Sequence, residues 1–400
     1  MTGNENFVAL RLASAQRKIR AFRRQLAEVR AGEFAYQDGK SVLDDIDAYF
    51  ADLLDRIDAL PKSVNARLAN ALCIQTNYDI HIYTILTGSV LRSTNVRNAF
   101  EVQDPLKRIA QDAVRPDVRL ILSSEWDYTP STYPMNADVL KSSVFVGMPA
   151  QESRFALPFA IAGHEIGHSA WSQHGIHARL LPAVTTAIER VASTIGTIDT
   201  FGADPEATKN DCLSNAMRQI EEIFCDTFGL GVFGESYLYA FDYLLAPGSW
   251  PRSLEYPSVL VRNQCLEMAA NQLGIPFNSV LFSGWHDSRS LPPELRDLAE
   301  ITDQAVTDCV PQIITVTREL LEKNNLFLPR DTKIEKILES FRCYRPYQDI
   351  ATLPEILVAG WRRLRDQGGL GAAGDSEENE TLNEIVLKSI EISEFLQLAA

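Results

Sequence analysis

Three residues near the middle of the chain have the types and spacing for hydrolytic chemistry: His164, Glu165 and His168, within FALPFAIAGHEIGHSAW (155–171). Histidines four apart lie on one face of a helix with Cβ atoms about 5–6 Å apart, within reach of one ion, and imidazole nitrogen suits Zn²⁺. Glu165 is turned about 100° from His164 on such a helix, beside the ion rather than on it, where a carboxylate can act as general base toward an activated water. Nearly everything else in the stretch is apolar. Leu157, Ile161 and Trp171 share the histidine side, while Phe159, Ala162, Ile166 and Ala170 share the opposite side. A helix apolar all round is buried, and burying two imidazoles and a carboxylate is costly unless each is paired or bound to a metal. Gly163 and Gly167 form a strip along which another backbone can approach.

The His-Glu-x-x-His group resembles the active-site helix of the zincin metallopeptidases. In the metzincin pattern a Gly and a third His would follow at positions 171 and 174; His174 is present, but Trp171 replaces the glycine of the turn. His174 and His177 are therefore expected to be solvated residues past the helix end, with His174 a lesser candidate for third ligand; His286 is a lesser candidate for contact with an oxyanion. The gluzincin pattern instead takes Glu-x-x-x-Asp from a later helix, and EEIFCDTFGL is similar, with Glu222 and Asp226 one turn apart. The resemblance implies Glu222 as third zinc ligand and Asp226 as the group that holds a ligand histidine by its other ring nitrogen. Taken alone, Glu222 could equally sit on the solvated stripe of its helix, and Cys225 is a further candidate ligand.

The long interval between the two motifs looks more like the HtpX and CAAX prenyl-endopeptidase group than thermolysin-like enzymes. That group carries a later His-Pro-x-x-x-x-Arg element; YPSVLVR (256–262) is similar, with Tyr in place of His. The resemblance implies Tyr256 and Arg262 as stabilisers of a developing oxyanion. A structural hydrogen bond and ion pair would account for the same two residues.

The elements that position these groups read as mainly α. Residues 1–62 suggest a helical hairpin, the second helix capped by Ser41 and ended by Pro61; helices follow over about 64–86 and 104–113. DVRLILSS and SSVFVGMPA have strand composition and directly precede the His-Glu-x-x-His helix. SSVFVGM is a candidate edge on which an extended peptide could pair. Helices are expected over about 178–198 and 213–228. GLGVFG (229–234) follows a helix rather than a strand, so Gly229 reads as its cap and not as part of a dinucleotide site. The expected organisation is a hairpin (1–62), a zincin-like metallopeptidase domain (63–290), a C-terminal helical region (291–367), and a flexible Gly-rich, acidic linker with a terminal helix (368–400).

Composition narrows the function classes. The 400 residues are 46% hydrophobic and 23% charged, with a formal net charge of -15 that argues against nucleic acid as main partner. One basic helix departs from that average: Arg11, Arg17, Lys18, Arg20, Arg23, Arg24 and Arg30 suit docking on an acidic body or contact with a protein partner. Six scattered cysteines suggest reduced core thiols, no apolar run approaches the ~18 residues of a membrane span, and the first residues lack a secretion-signal core. The expectation is a cytoplasmic zinc-dependent endopeptidase of α+β, mainly α fold, with helical additions on both sides and a protein or peptide substrate. The alternatives are a regulatory peptidase of the ImmA/IrrE-like kind with one target, or a helical scaffold whose metal is structural.

Overall fold

The computed structural model describes residues 3–61, 64–95, 97–132, 140, 142–195, 205–245, 252–287, 290–367 and 377–399. Among them the fold is α+β and mainly α, with thirteen helices around one two-stranded parallel sheet. Four helices come first: α1 (Gly3–Arg30), α2 (Gln37–Asp58), α3 (Ala66–Asn95) and α4 (Phe100–Ala113). Strands β1 (Arg119–Glu125) and β2 (Ser143–Pro149) pair with Leu120 opposite Val144 and Ser123 opposite Gly147. The stretch over 155–171 is not one helix. A tight 3-10 turn over Leu157–Ile161, opened by Pro158, leads into α5 (Ala162–Gln173).

Beyond it run α6 (Ile176–Ile195), α7 (Pro205–Phe233), α8 (Glu235–Leu245), α9 (Val259–Leu273), α10 (Arg296–Lys323), α11 (Asp331–Arg342), α12 (Leu353–Asp366) and α13 (Glu377–Ala399). The expected loop over 199–211 gives way to helix from Pro205, and residues 368–376, the core of the expected linker, lie outside the described residues.

Two expected caps are corrected. Tyr36 stands at the start of α2 without a side-chain hydrogen bond, while Ser41, a turn inside the helix, accepts from Arg119. Gly229 lies within α7; the residue after that helix is Gly234, at φ +59°, a conformation glycine adopts without a Cβ penalty.

The sheet separates two cores. Leu120, Leu122, Val144, Val146 and Met148 face the larger one, shared with α4 to α13, whereas Ile121 and Phe145 face a smaller one built from Ile19, Phe22, Leu26, Phe50, Tyr83 and Val90 of α1, α2 and α3. Alternate side chains of strands covered on both faces must all be apolar, which explains the unbroken LIL and VFV runs. α10 packs along α6 and α7, and α12 along α8 and the turn before α5, so the C-terminal helices complete the large core.

Three of the basic residues of α1 dock on α2, while Arg11, Arg17 and Arg24 are exposed. Arg23 binds Asp47 (2.7 Å), Arg30 reaches Asp44 and Asp47, and Arg20 reaches Asp58, all on α2. The outer edge of β2, expected to be open, is occupied: Ser131 and Gly147 exchange both backbone hydrogen bonds, at 3.0 and 2.7 Å. Five of the six cysteines are buried and none is disulfide-bonded; Cys343 is exposed. No described helix is long and apolar enough to cross a membrane.

Candidate metal centre

The site lies between α5 and α7, and glycines set their separation. A Cβ added to Gly163 would lie 2.8 Å from the Cα of Gly229 and 2.9 Å from the Phe233 ring; one on Gly167 would lie 3.0 Å from the Cα of Cys225; one on Gly229 would strike the Tyr237 ring at 2.5 Å. Real Cβ atoms do not make such contacts, so glycine at these positions lets the two backbones approach. The expected strip at Gly163 and Gly167 thus meets a partner strip on α7.

Close approach brings Glu222 onto the histidines. Its Oε2 is 3.3 Å from His164 Nε2 and its Oε1 is 3.7 Å from His168 Nε2. Both Nδ1 atoms are engaged on the far side: His164 Nδ1 donates to Asp226 Oδ1 and His168 Nδ1 to Glu221 Oε1, each at 2.8 Å. A carboxylate carries no proton to donate, so Nδ1 is the donor in each bond; each Nε2 is turned toward Glu222, and it is the nitrogen that offers a lone pair to an ion when the ring is neutral.

Asp226 is in turn held by three residues. Arg262 Nε donates to Oδ2 at 2.6 Å, while Arg262 Nη2 and the Tyr237 hydroxyl donate to Oδ1 at 2.8 and 2.6 Å. Burial acts to raise the Asp226 carboxyl, but the Arg262 charge and hydrogen bonds, with His164, hold it well below the usual carboxylate range. Arg262, half-buried, also lies over the Phe241 ring, 4.7 Å from its centroid. Arg262 Nε and Nη2 are engaged by Asp226, and Nη2 also lies 4.0 Å from Glu222 Oε2.

The donor set fits a divalent cation. Four carboxylates, Glu165, Glu221, Glu222 and Asp226, gather around one guanidinium, an excess of negative charge that a buried site has to neutralise. Without a cation His164 supplies part of that charge: burial opposes its imidazolium, yet hydrogen bonds to Asp226 and Glu222 outweigh it and raise the pKa to about 10. Burial likewise works to raise Glu222, but the hydrogen bond from His164 and the charges of His168 and Arg262 bring it down.

Cys225 competes for the third position. Ligand atoms of His164, His168 and Cys225 lie within 4.8 Å of one another. The thiol also abuts Gly167, whose added Cβ would sit 3.2 Å from Sγ, so it fills the helix contact. Burial, then Glu222 and Glu221, raise its pKa well above the ordinary value, against the thiolate a metal needs.

Glu165 is 4% exposed, and burial raises its carboxyl above the ordinary range. Among the described residues no hydrogen-bond or ion-pair partner at bonding distance holds it. Tyr256 is 56% exposed, and the nearby negative charge of Glu222, ahead of burial, raises its hydroxyl. The remaining histidines stand apart: His174 Nε2 bonds the Ala113 carbonyl, the His177 ring lies edge-on to Trp171, and His286 bonds the Gly284 carbonyl.

Glu221 and Tyr237 were not foreseen. Glu221 had a weak signal in its position next to Glu222; Tyr237 had none, since ESYLYAF reads as core. Comparison with known proteins finds no matching family model, no matching curated protein and no matching solved structure.

Proposed function

We propose that this chain is a metal-dependent peptidase of gluzincin type, with His164, His168 and Glu222 holding Zn²⁺ and Glu165 as general base. The observation that carries the reading is the isolation of Glu165, a carboxyl group buried near His164 and His168 with no bonding partner among the described residues. A structural metal site has no use for an unpaired acid there, and leaving one buried is costly.

When bound, the ion supplies Lewis acidity. The chain's own residues do the rest. Asp226 and Glu221 orient the two imidazoles, and Arg262 and Tyr237 hold Asp226 in place. Glu165 takes a proton from the attacking water, whose oxygen bonds to the carbonyl carbon. The same carboxyl then gives that proton to the amide nitrogen as the C–N bond breaks. Its raised proton affinity suits both transfers better than that of a solvated glutamate. The Tyr256 hydroxyl donates to the carbonyl oxygen as negative charge grows on it. The substrate is a protein or peptide, and the exposed bases of α1 that do not pair with α2, such as Arg24, are left for any partner contact.

The test combines elemental analysis of the purified protein with cleavage of fluorescein-labelled casein. Wild type should hold about one zinc per chain and cleave; Glu165→Gln should hold the same zinc and not cleave. Turnover retained in Glu165→Gln would exclude the mechanism.

A further inference from the structure

Tyr256 belongs to residues 252–258, which lead into α9, and this segment is held by its backbone. The Arg252 side chain, 7% exposed, donates through Nη1 to the carbonyls of Ser253 and Tyr256. Through Nη2 it donates to Asp303 of α10. Other ties run to α7 and within the segment: Gln219 Nε2 donates to the Leu254 carbonyl at 2.8 Å, and the Tyr256 amide donates to Ser253 Oγ at 3.2 Å. Gln219 lies about one turn before Glu222, so the segment is fastened to the helix that supplies the third ligand. At its far end Ser258 caps α9, accepting from the Val261 amide at 3.1 Å, and Asp287 accepts from the Val259 amide at 3.2 Å.

The Tyr256 residue is itself 56% exposed, while the charge of Glu222 is the largest influence on its hydroxyl. Packing on its outer side does not fix an exposed ring, so the ring is only as well placed as the backbone that carries it. Arginine suits the task of holding that backbone. Its planar fork of five N–H donors reaches a carboxylate and two carbonyls together, which the single nitrogen of lysine does not do in the same geometry. A buried guanidinium is costly unless paired, and Asp303 pairs it.

We infer that Arg252 is a positioning residue: from its buried place it holds the Tyr256 backbone so that the exposed phenol stays beside Glu222, and through Asp303 it ties that placement to α10. This rests on the peptidase reading for the task of the hydroxyl, which is donation to the growing oxyanion. Arg252 acts on the reaction only through Tyr256.

Two measurements test it in Arg252→Lys, which keeps a charge for Asp303 but loses the fork that reaches both carbonyls. In the first, meta-fluorotyrosine replaces Tyr256 alone, and its fluorine NMR line is recorded in the metal-free protein. Wild type should give a single line displaced from that of the free amino acid, and Arg252→Lys should move it about halfway or more toward the free position. Asp303→Asn, which leaves Arg252 a neutral acceptor, should move it the same way and serves should Arg252→Lys fold poorly. An unmoved line in both would overturn the inference. In the second, steady-state cleavage of fluorescein-labelled casein should show kcat lowered about 100-fold by Tyr256→Phe and about tenfold or more by Arg252→Lys, with KM within about twofold of wild type. The combined variant should fall within about twofold of Tyr256→Phe, because Arg252 then has no hydroxyl to place. Losses that multiply, or a Tyr256→Phe protein as active as wild type, would overturn the inference. If the line moves but wild type never cleaves casein, the placement stands and the peptidase reading fails. If wild type cleaves and Arg252→Lys matches its rate, the peptidase reading stands and the inference fails.

Discussion

Asp226 decides the chemistry of the site without facing the position a metal would take. Its Oδ1 accepts from His164, Tyr237 and Arg262, and its Oδ2 accepts from Arg262 again. Asp226→Asn should therefore weaken zinc binding by about 10–100-fold, because an amide accepts on one atom only and leaves the half-buried Arg262 with half its partner gone. Zinc competition with a chromophoric chelator reads this directly. The same titration decides between the two third ligands: Glu222→Ala should lose most of the zinc, while Cys225→Ser, which keeps the shape that fits Gly167, should retain it. The reverse result would move the site to His164, His168 and Cys225. His164, Glu165 and His168 were legible in the sequence because a four-residue spacing is itself a geometry. Glu222 and Asp226 were reached through a resemblance. Glu221, Tyr237 and the true partner of Arg262 depend on how α7, α8 and α9 cross, and no local pattern encodes that crossing.

The helix pair α5 and α7 is the element that makes the site. Glycine within a helix costs about 1 kcal/mol relative to alanine, so Gly163, Gly167 and Gly229 each weaken their own helix and are retained for the approach they permit. Gly163→Ala returns that propensity but places a Cβ 2.8 Å from the Gly229 Cα, where backbone has to move. Overpacking of this kind costs about 1–3 kcal/mol, which exceeds the gain. The variant should melt at lower temperature than wild type and bind zinc more weakly, since α5 can yield only by moving His164 away from Glu222. Ser169→Ala, on the same helix, supplies the control. The two strands were legible from their unbroken apolar runs; their outer edge was not, because the residues that cover it, Ser131 and Thr132, belong to a stretch that reads only as turn formers. Helix ends were read short where polar residues continue a helix, as from Pro205 to Leu213, and long where Pro158 tightens the backbone into a 3-10 turn.

At the scale of the molecule, α1 covers the second core, and this changes what its removal would do. Sequence distance from α5 suggests that residues 1–35 are dispensable for chemistry. In the structure Ala15, Ile19, Phe22 and Leu26 are buried against Val42, Leu43, Ile46 and Phe50, and this core backs the sheet on which α5 rests. Deletion would expose that surface, so aggregation is the expected outcome. A gentler probe uses the ion pairs that hold α1. The Asp47 carboxyl is held below its ordinary 3.8, chiefly by the hydrogen bond from Arg23 and despite some desolvation, with Arg30 adding to it. A carboxyl depressed in the folded state stabilises fully above its unfolded pKa and loses that contribution as pH falls through the folded value. The loss for Asp47 therefore begins near pH 3.8 and deepens below it. Because the group is partly open to water, salt should weaken the effect. Asp47→Asn should lower the urea midpoint of wild type at about pH 6, and the gap between the two proteins should shrink as pH falls below 3.8 and the wild-type side chain is progressively neutralised. A gap that stays constant with pH would mean that Arg23 and Arg30 add nothing to the docking of α1, and that its apolar stripe alone holds it against α2.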